Sequence, residues 1–115
     1  MNFSQWSVWQ ANLDPAIGSE QGKVRPVLII SDTSLNKILP VVNCIPVTSR
    51  KSKRRVYPNE AFLPARTGGL KLDSIALCYQ IRTLDKRRLS RSFGEIDDDN
   101  VKQSIFAALR FQLGM

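Results

Sequence analysis

The chain has 115 residues and no histidine, so any chemistry it performs must come from arginine, threonine, serine, carboxylates or backbone groups. Two-imidazole acid–base catalysis and a Ser-His-Asp arrangement are excluded, and two cysteines alone cannot complete a four-ligand zinc site. The one carboxylate cluster, Asp97–Asp98–Asp99, stands where a helix is expected to start. Acidic residues complement the helix dipole there, which explains the cluster structurally. Two other segments stand out. Leu13–Ser31 reads LDPAIGSEQGKVRPVLIIS, a polar loop leading into an apolar strand with Arg25 at the junction. Ile45–Arg50 reads IPVTSR, an apolar strand whose end carries Thr48. Loops held on a rigid sheet are where function concentrates. A fixed guanidinium can contact two anionic oxygens at once, and a threonine hydroxyl both donates and accepts. Taken alone, however, such an arginine reads as surface charge and such a threonine as β-propensity.

The charge narrows the partner. Residues 1–49 hold three Lys/Arg and three Asp/Glu, residues 50–91 hold twelve and three, and residues 92–115 hold two and four. The middle of the chain therefore carries net +9 within a total of +7. Two runs dominate it, RKSKRR at Arg50–Arg55 and KRRLSR at Lys86–Arg91. Two such runs in a small domain suit a polyanion, of which nucleic acid is the usual one. The alternative is a solvated surface that only aids solubility.

The length and the 43% apolar content are those of one folded domain, 1–115, with a modest core. No apolar run approaches the roughly 20 residues that cross a bilayer. The opening MNFSQWSVWQ lacks the basic and apolar regions of a signal peptide, so a cytoplasmic protein is expected. Cys44 and Cys78 lie in apolar runs and are expected as buried thiols rather than a disulfide. Strands are expected at Val8–Leu13, Val24–Ser31, Val41–Ser49, Glu60–Leu63 and Ser74–Ile81. Pro26 favours an edge position or a strand start, because it lacks the donor a ladder needs. Asp32 can cap a short helical turn through Lys37. Thr67–Gly68–Gly69 is a turn signal. A C-terminal helix starts at Asp97–Asn100, presents Val101, Ile105, Ala108, Leu109 and Gln112 on one face, and stops at Gly114. This pattern implies a small, strongly bent antiparallel sheet or open barrel with a helix against it.

The two opening segments, followed by LDSIALCY (Leu72–Tyr79), QIRTLDKRRL (Gln80–Leu89) and a C-terminal helix, resemble the MazF/PemK family of toxin endoribonucleases over nearly the whole chain. The resemblance implies a mainly β fold with a C-terminal α-helix, an SH3-like small barrel of the CcdB/MazF/PemK type, usually a homodimer. It implies the toxin of a toxin–antitoxin system: a sequence-specific endoribonuclease that needs no metal or cofactor. Single-stranded RNA, messenger RNA above all, would be cut by 2′-OH attack, giving a 2′,3′-cyclic phosphate and a 5′-OH. Arg25 and Thr48 match the residues the family uses for cleavage. Because an arginine's neutral form is scarce, Arg25 is assigned first to stabilising the phosphorane, with proton transfer left open. Thr48 is assigned as a hydrogen-bond donor to the phosphate or leaving oxygen.

The resemblance also places the Ser19, Glu20 and Gln21 loop over the RNA. Gln80 and Arg82 follow the Ser74–Tyr79 strand, where an amide beside a guanidinium can read a base edge and hold a phosphate. Arg50 and Arg54, in the first basic run, are expected to add backbone attraction that weakens with salt. The implied partners are RNA, a second copy and a cognate antitoxin with an acidic, partly disordered tail, but no membrane. The chain departs from the family at Gln5–Trp6–Ser7–Val8–Trp9, where many members begin with Gly, an acidic residue and two aromatics. Two other readings stay open on the same fold: a gyrase-poisoning toxin of the CcdB type, and a non-catalytic nucleic-acid-binding barrel. Retention of Arg25 and Thr48 favours RNA cleavage.

Overall fold

The computed structural model describes residues 2–115. Seven strands and two helices follow in the order β1 (Ser7–Asn12), β2 (Val24–Ile29), α1 (Thr33–Ile38), β3 (Val41–Ser49), β4 (Ala61–Leu63), β5 (Ser74–Ala76), β6 (Arg82–Asp85), β7 (Leu89–Glu95) and α2 (Asp99–Leu113). All pairings are antiparallel. β3 organises the sheet. Its first half pairs with β6 (Val42↔Leu84), its middle with β2 (Leu28↔Ile45) and its last residues with β5 (Thr48↔Ile75). The path β6-β3-β2-β1-β7 begins and ends on strands joined by a single turn, Lys86–Arg88. The sheet therefore coils into the expected small open barrel.

Alternation along the strands fills both faces. Val8, Leu28, Ile45 and Val47 face α2, which contributes Val101, Ile105 and Ala108. Trp9, Ala11, Val27, Ile29, Val42 and Cys44 form the other cluster, inside the coil, with Leu84 and Leu89. Two buried faces account for apolar runs such as VLII, which show little polar alternation. Trp9 is 4% exposed, stacks 4.8 Å from Phe3 and donates to Ser7 Oγ at 2.9 Å. The first strand thus gives its aromatic to the core rather than to a substrate surface.

Pro26 explains an opening in this wall. β2 is an interior strand, paired with β1 through Pro26↔Gln10, but its ladder with β3 stops at Val27↔Pro46. Pro26 has no N–H to donate across to β3, whereas the Pro46 backbone faces the other side, its carbonyl accepting from Leu77 N at 2.9 Å. Beyond Val27 and Pro46 the two strands part, so the expected edge character of Pro26 is local to one side.

Both helices are capped as expected. The Asp32 carboxylate accepts from Ser34 N at 3.0 Å, and Asp98 accepts from Asn100 N and Val101 N. Gly114 ends α2 at φ 69°. One expected member of its apolar face is misplaced: Gln112 is exposed and accepts from Asn59 Nδ2 at 3.3 Å. The single strand expected over Ser74–Ile81 is also interrupted. The chain leaves β5 after Ala76, turns through Cys78–Gln80 against α2, and restarts as β6. Cys44 and Cys78 are buried free thiols, and loss of hydration pushes both up to about 12, so they stay protonated at neutral pH. Among the described residues no helix is long and apolar enough to cross a membrane.

Candidate anion site at the split between β2 and β3

Val27 and Pro46 are the last partners of their ladder. Two residues further along each strand, on the same face, stand Arg25 and Thr48. They line one cavity of about 310 Å³, closed on a further side by Leu70, Lys71 and Leu72. No carboxylate lines it. Arg25 is half-buried, and its Nε donates to Gly22 O at 3.1 Å. That bond fixes the guanidinium plane, and its two terminal nitrogens have no partner among the described residues. The Thr48 hydroxyl is likewise without one. Lys71 adds a cation that sequence reading did not single out, because nothing in the local sequence places the Leu70–Leu72 loop against β2.

A second pocket of about 300 Å³ is lined by Ser19, Glu20, Tyr79, Gln80 and Arg82. Here the expected role of Gln80 changes. Its Oε1 accepts from Gln21 N at 2.7 Å, and its Nε2 donates to Ser19 O at 3.1 Å. Both ends of the amide hold the loop backbone instead of facing outward. Glu20 stays exposed, and its Oε1 accepts from Ile17 N of the same loop at 2.8 Å. Gln21 Oε1 is buried and has no donor among the described residues. Arg82 pairs with Cys44 across β3 and β6 and is half-buried. Tyr79, 41% exposed, offers a ring of the kind on which bases stack. Sequence reading missed it inside an apolar run. The Ser19–Gly22 loop joins the two pockets, held by Gln80 on one side and holding Arg25 on the other.

The first basic run divides. Arg50 donates from Nε to Arg54 O at 2.8 Å and lies 5.0 Å from the Phe62 ring centroid. It points to the same face as Thr48, two residues away. Arg54 is instead committed to the fold. It forms a two-pronged ion pair with Glu60 at 2.9 and 2.8 Å, and the Glu60 side chain is only 2% exposed. The Arg54 hydrogen bond, then the Tyr57 amide, hold the Glu60 carboxyl below its usual range against the cost of burial. A depressed carboxyl contributes stability above its unfolded pKa and loses it as pH falls through the folded one. Arg54→Ala should therefore cost about 2 kcal/mol at neutral pH. That is less than the roughly 3–5 of a fully buried pair, because Arg54 keeps 36% of its side chain in water. The difference from the parent should shrink below about pH 4. Urea denaturation at pH 7 and pH 3 checks both statements.

Among the described residues no three of Cys, Asp and Glu gather as metal ligands. A fixed guanidinium, an unengaged hydroxyl and a carboxylate-free cavity on a small barrel have the charge and donors that suit an anion such as a phosphodiester. Residues 4–113 match the profile of the PemK-like, MazF-like toxins of type II toxin–antitoxin systems, and the chain belongs to that family. It is 35% identical over 115 residues to the endoribonuclease EndoA of Bacillus subtilis (strain 168), covering 100% of this chain and 97% of that protein. MazF (form I) from Deinococcus radiodurans superposes with a TM-score of 0.76 at 33% identity, covering 97% of this chain and 96% of that one. The MazE–MazF structure (form II) from the same organism gives 0.75 at 30% identity, covering 100% and 98%.

Proposed function

We infer that this chain is a toxin that cleaves single-stranded RNA without a metal, at the cavity shared by Arg25 and Thr48. The observation that carries the reading is that cavity: two groups far apart in sequence meet where Pro26 ends the ladder between β2 and β3, with their polar ends unengaged. The ribose 2′-oxygen attacks the adjacent phosphorus, and the bond from phosphorus to the 5′-oxygen breaks. A 2′,3′-cyclic phosphate and a 5′-hydroxyl result. Negative charge grows on the phosphorane oxygens, and the two free nitrogens of Arg25 would meet it without reorganising. Thr48 would donate to a phosphate oxygen or to the departing one. The Ser19–Gln21 loop and the pocket it shares with Tyr79 and Arg82 would hold the neighbouring bases, which only an unpaired strand exposes.

The 35% identity to an endoribonuclease favours this over a gyrase poison on the same fold. In one Deinococcus structure MazF is paired with MazE. By that likeness this toxin has an antitoxin, whose acidic tail would suit the basic middle of the chain; the family resemblance implies a homodimer as well. Messenger RNA as substrate would place it in the cytoplasm. Incubating a long RNA of mixed sequence with the protein in EDTA tests the activity. The expected result is cuts at one short motif, all with 5′-OH ends. RNA left intact would overturn the reading.

A further inference from the structure

We propose that Arg66 and Lys71 form a second phosphate subsite beside the Arg25–Thr48 cavity, taking the RNA phosphate next to the scissile one, an inference that rests on the nuclease reading. A neighbouring cavity of about 380 Å³ is lined by Arg66, Gly69, Leu70 and Lys71. Leu70 and Lys71 also line the Arg25–Thr48 cavity, so the two share a wall. No carboxylate lines either of them. A strand with its scissile phosphate on Arg25 can therefore pass over Lys71 to Arg66 without meeting negative charge in either lining.

Both cations are available for this use. Neither Arg66 nor Lys71 has an ion-pair partner among the described residues. The carboxylate nearest to Lys71 in sequence, Asp73, is already engaged, its Oδ1 accepting from Ala65 N at 2.8 Å. The backbone points the same way. Arg66 sits at φ 77°, a left-handed conformation that glycine and asparagine adopt more readily. Its amide donates to Leu70 O at 2.6 Å and closes the turn, yet its side chain makes no capping bond. The turn alone thus gives no reason for an arginine, and a residue held in such a conformation suggests a use for its side chain. The turn is also firm, since Gly69 leaves no room for a Cβ beside the Phe93 carbonyl. A guanidinium carried on it can meet a phosphate with two parallel donors. Solvation would explain either cation singly, but not their place along a wall shared with the proposed cleavage site. An acidic polypeptide is the other possible occupant. The shared wall favours RNA.

The test is the double variant Arg66→Asn, Lys71→Gln, in which asparagine suits the left-handed turn. Three RNAs would span a cut site mapped on a long transcript, each with the scissile ribose and its two neighbours 2′-deoxy to prevent cleavage. One is charged at every linkage. The other two carry a neutral methylphosphonate at the linkage immediately 5′ or immediately 3′ of the scissile one. The variant should bind the fully charged RNA roughly tenfold more weakly at low salt, with a log–log salt slope shallower by about 0.7. One of the two neutral linkages should cost the parent a similar factor and the variant less than about twofold. Equal losses in parent and variant at both linkages would overturn the proposal, because the cations would then serve no particular phosphate. Unchanged affinity for the charged RNA beside a weaker grip on polyglutamate would overturn it in favour of a protein-docking face. A loss of affinity that tracks a changed oligomeric state in light scattering would overturn it in favour of an interface between copies. Cleavage of the all-ribose RNA by the parent protein reports separately on the nuclease reading, and RNA left uncut would remove that reading and the subsite with it.

Discussion

Replacing Arg25 with alanine is expected to slow RNA cleavage by about 10²–10³-fold, the usual cost of losing one preorganised donor at a developing oxyanion. RNA affinity should change far less, because the net +9 of residues 50–91 would supply most of the attraction and remains in place. The split between rate and affinity follows from geometry. Arg25 is held by one bond, Nε to Gly22 O, which leaves a two-nitrogen fork for a phosphate. Lysine at this position would keep the charge and lose the fork, so Arg25→Lys should recover only part of the rate. Thr48→Ala should show the same pattern with a smaller loss, since one neutral donor disappears. Single-turnover cleavage beside equilibrium binding to an uncleavable RNA separates the two quantities. Equal losses in both would make these residues binding groups rather than catalytic ones.

Gly69→Ala is expected to destabilise the fold by about 3 kcal/mol or more. Gly69 sits at φ 80°, and an added Cβ would lie 2.0 Å from the Phe93 carbonyl oxygen and 2.7 Å from its carbon. Neither neighbour is a flexible side chain, so the turn or β7 must move. The same turn leads into Leu70–Leu72, one wall of the Arg25–Thr48 cavity, and activity should fall along with stability. Gly18→Ala is the matched control. Gly18 also has a positive φ, 59°, but nothing lies within 4 Å of the added carbon. That change should cost only about 1 kcal/mol. Urea midpoints of the two variants, read at unchanged m-value, decide the comparison.

Much of the scaffold was legible because its signals are local. Val41–Ser49 is one strand from first residue to last, and Asp32 caps α1 as its side chain suggests. What escaped depends on distant partners. The run SIALCYQI reads as one strand, since no Gly or Pro marks the break at Leu77. The break follows from the packing of Cys78–Gln80 on α2 and from the Leu77 amide bonding Pro46 O at 2.9 Å. β6 and β7 carry no strand signal of their own. SRSFGE has few β-branched residues, and its extension comes from pairing with β1. The site follows the same rule. Arg25 and Thr48 were nameable because they resemble a family's residues, but Pro26, with no N–H for β3, ends the ladder and creates the split that exposes them. Gln80 and Arg54 looked like outward-facing groups. Their partners, the Ser19–Gln21 backbone and Glu60, turned them into supports.

The Arg25–Thr48 cavity is proposed to promote attack by the ribose 2′-hydroxyl on its own phosphate. The most direct measurement is cleavage of an RNA carrying one 2′-deoxy ribose immediately 5′ of a mapped scissile phosphate. This RNA should bind as tightly as its all-ribose parent and stay uncut at that position, while neighbouring copies of the motif are still cleaved. Cleavage at the parent rate would contradict the account.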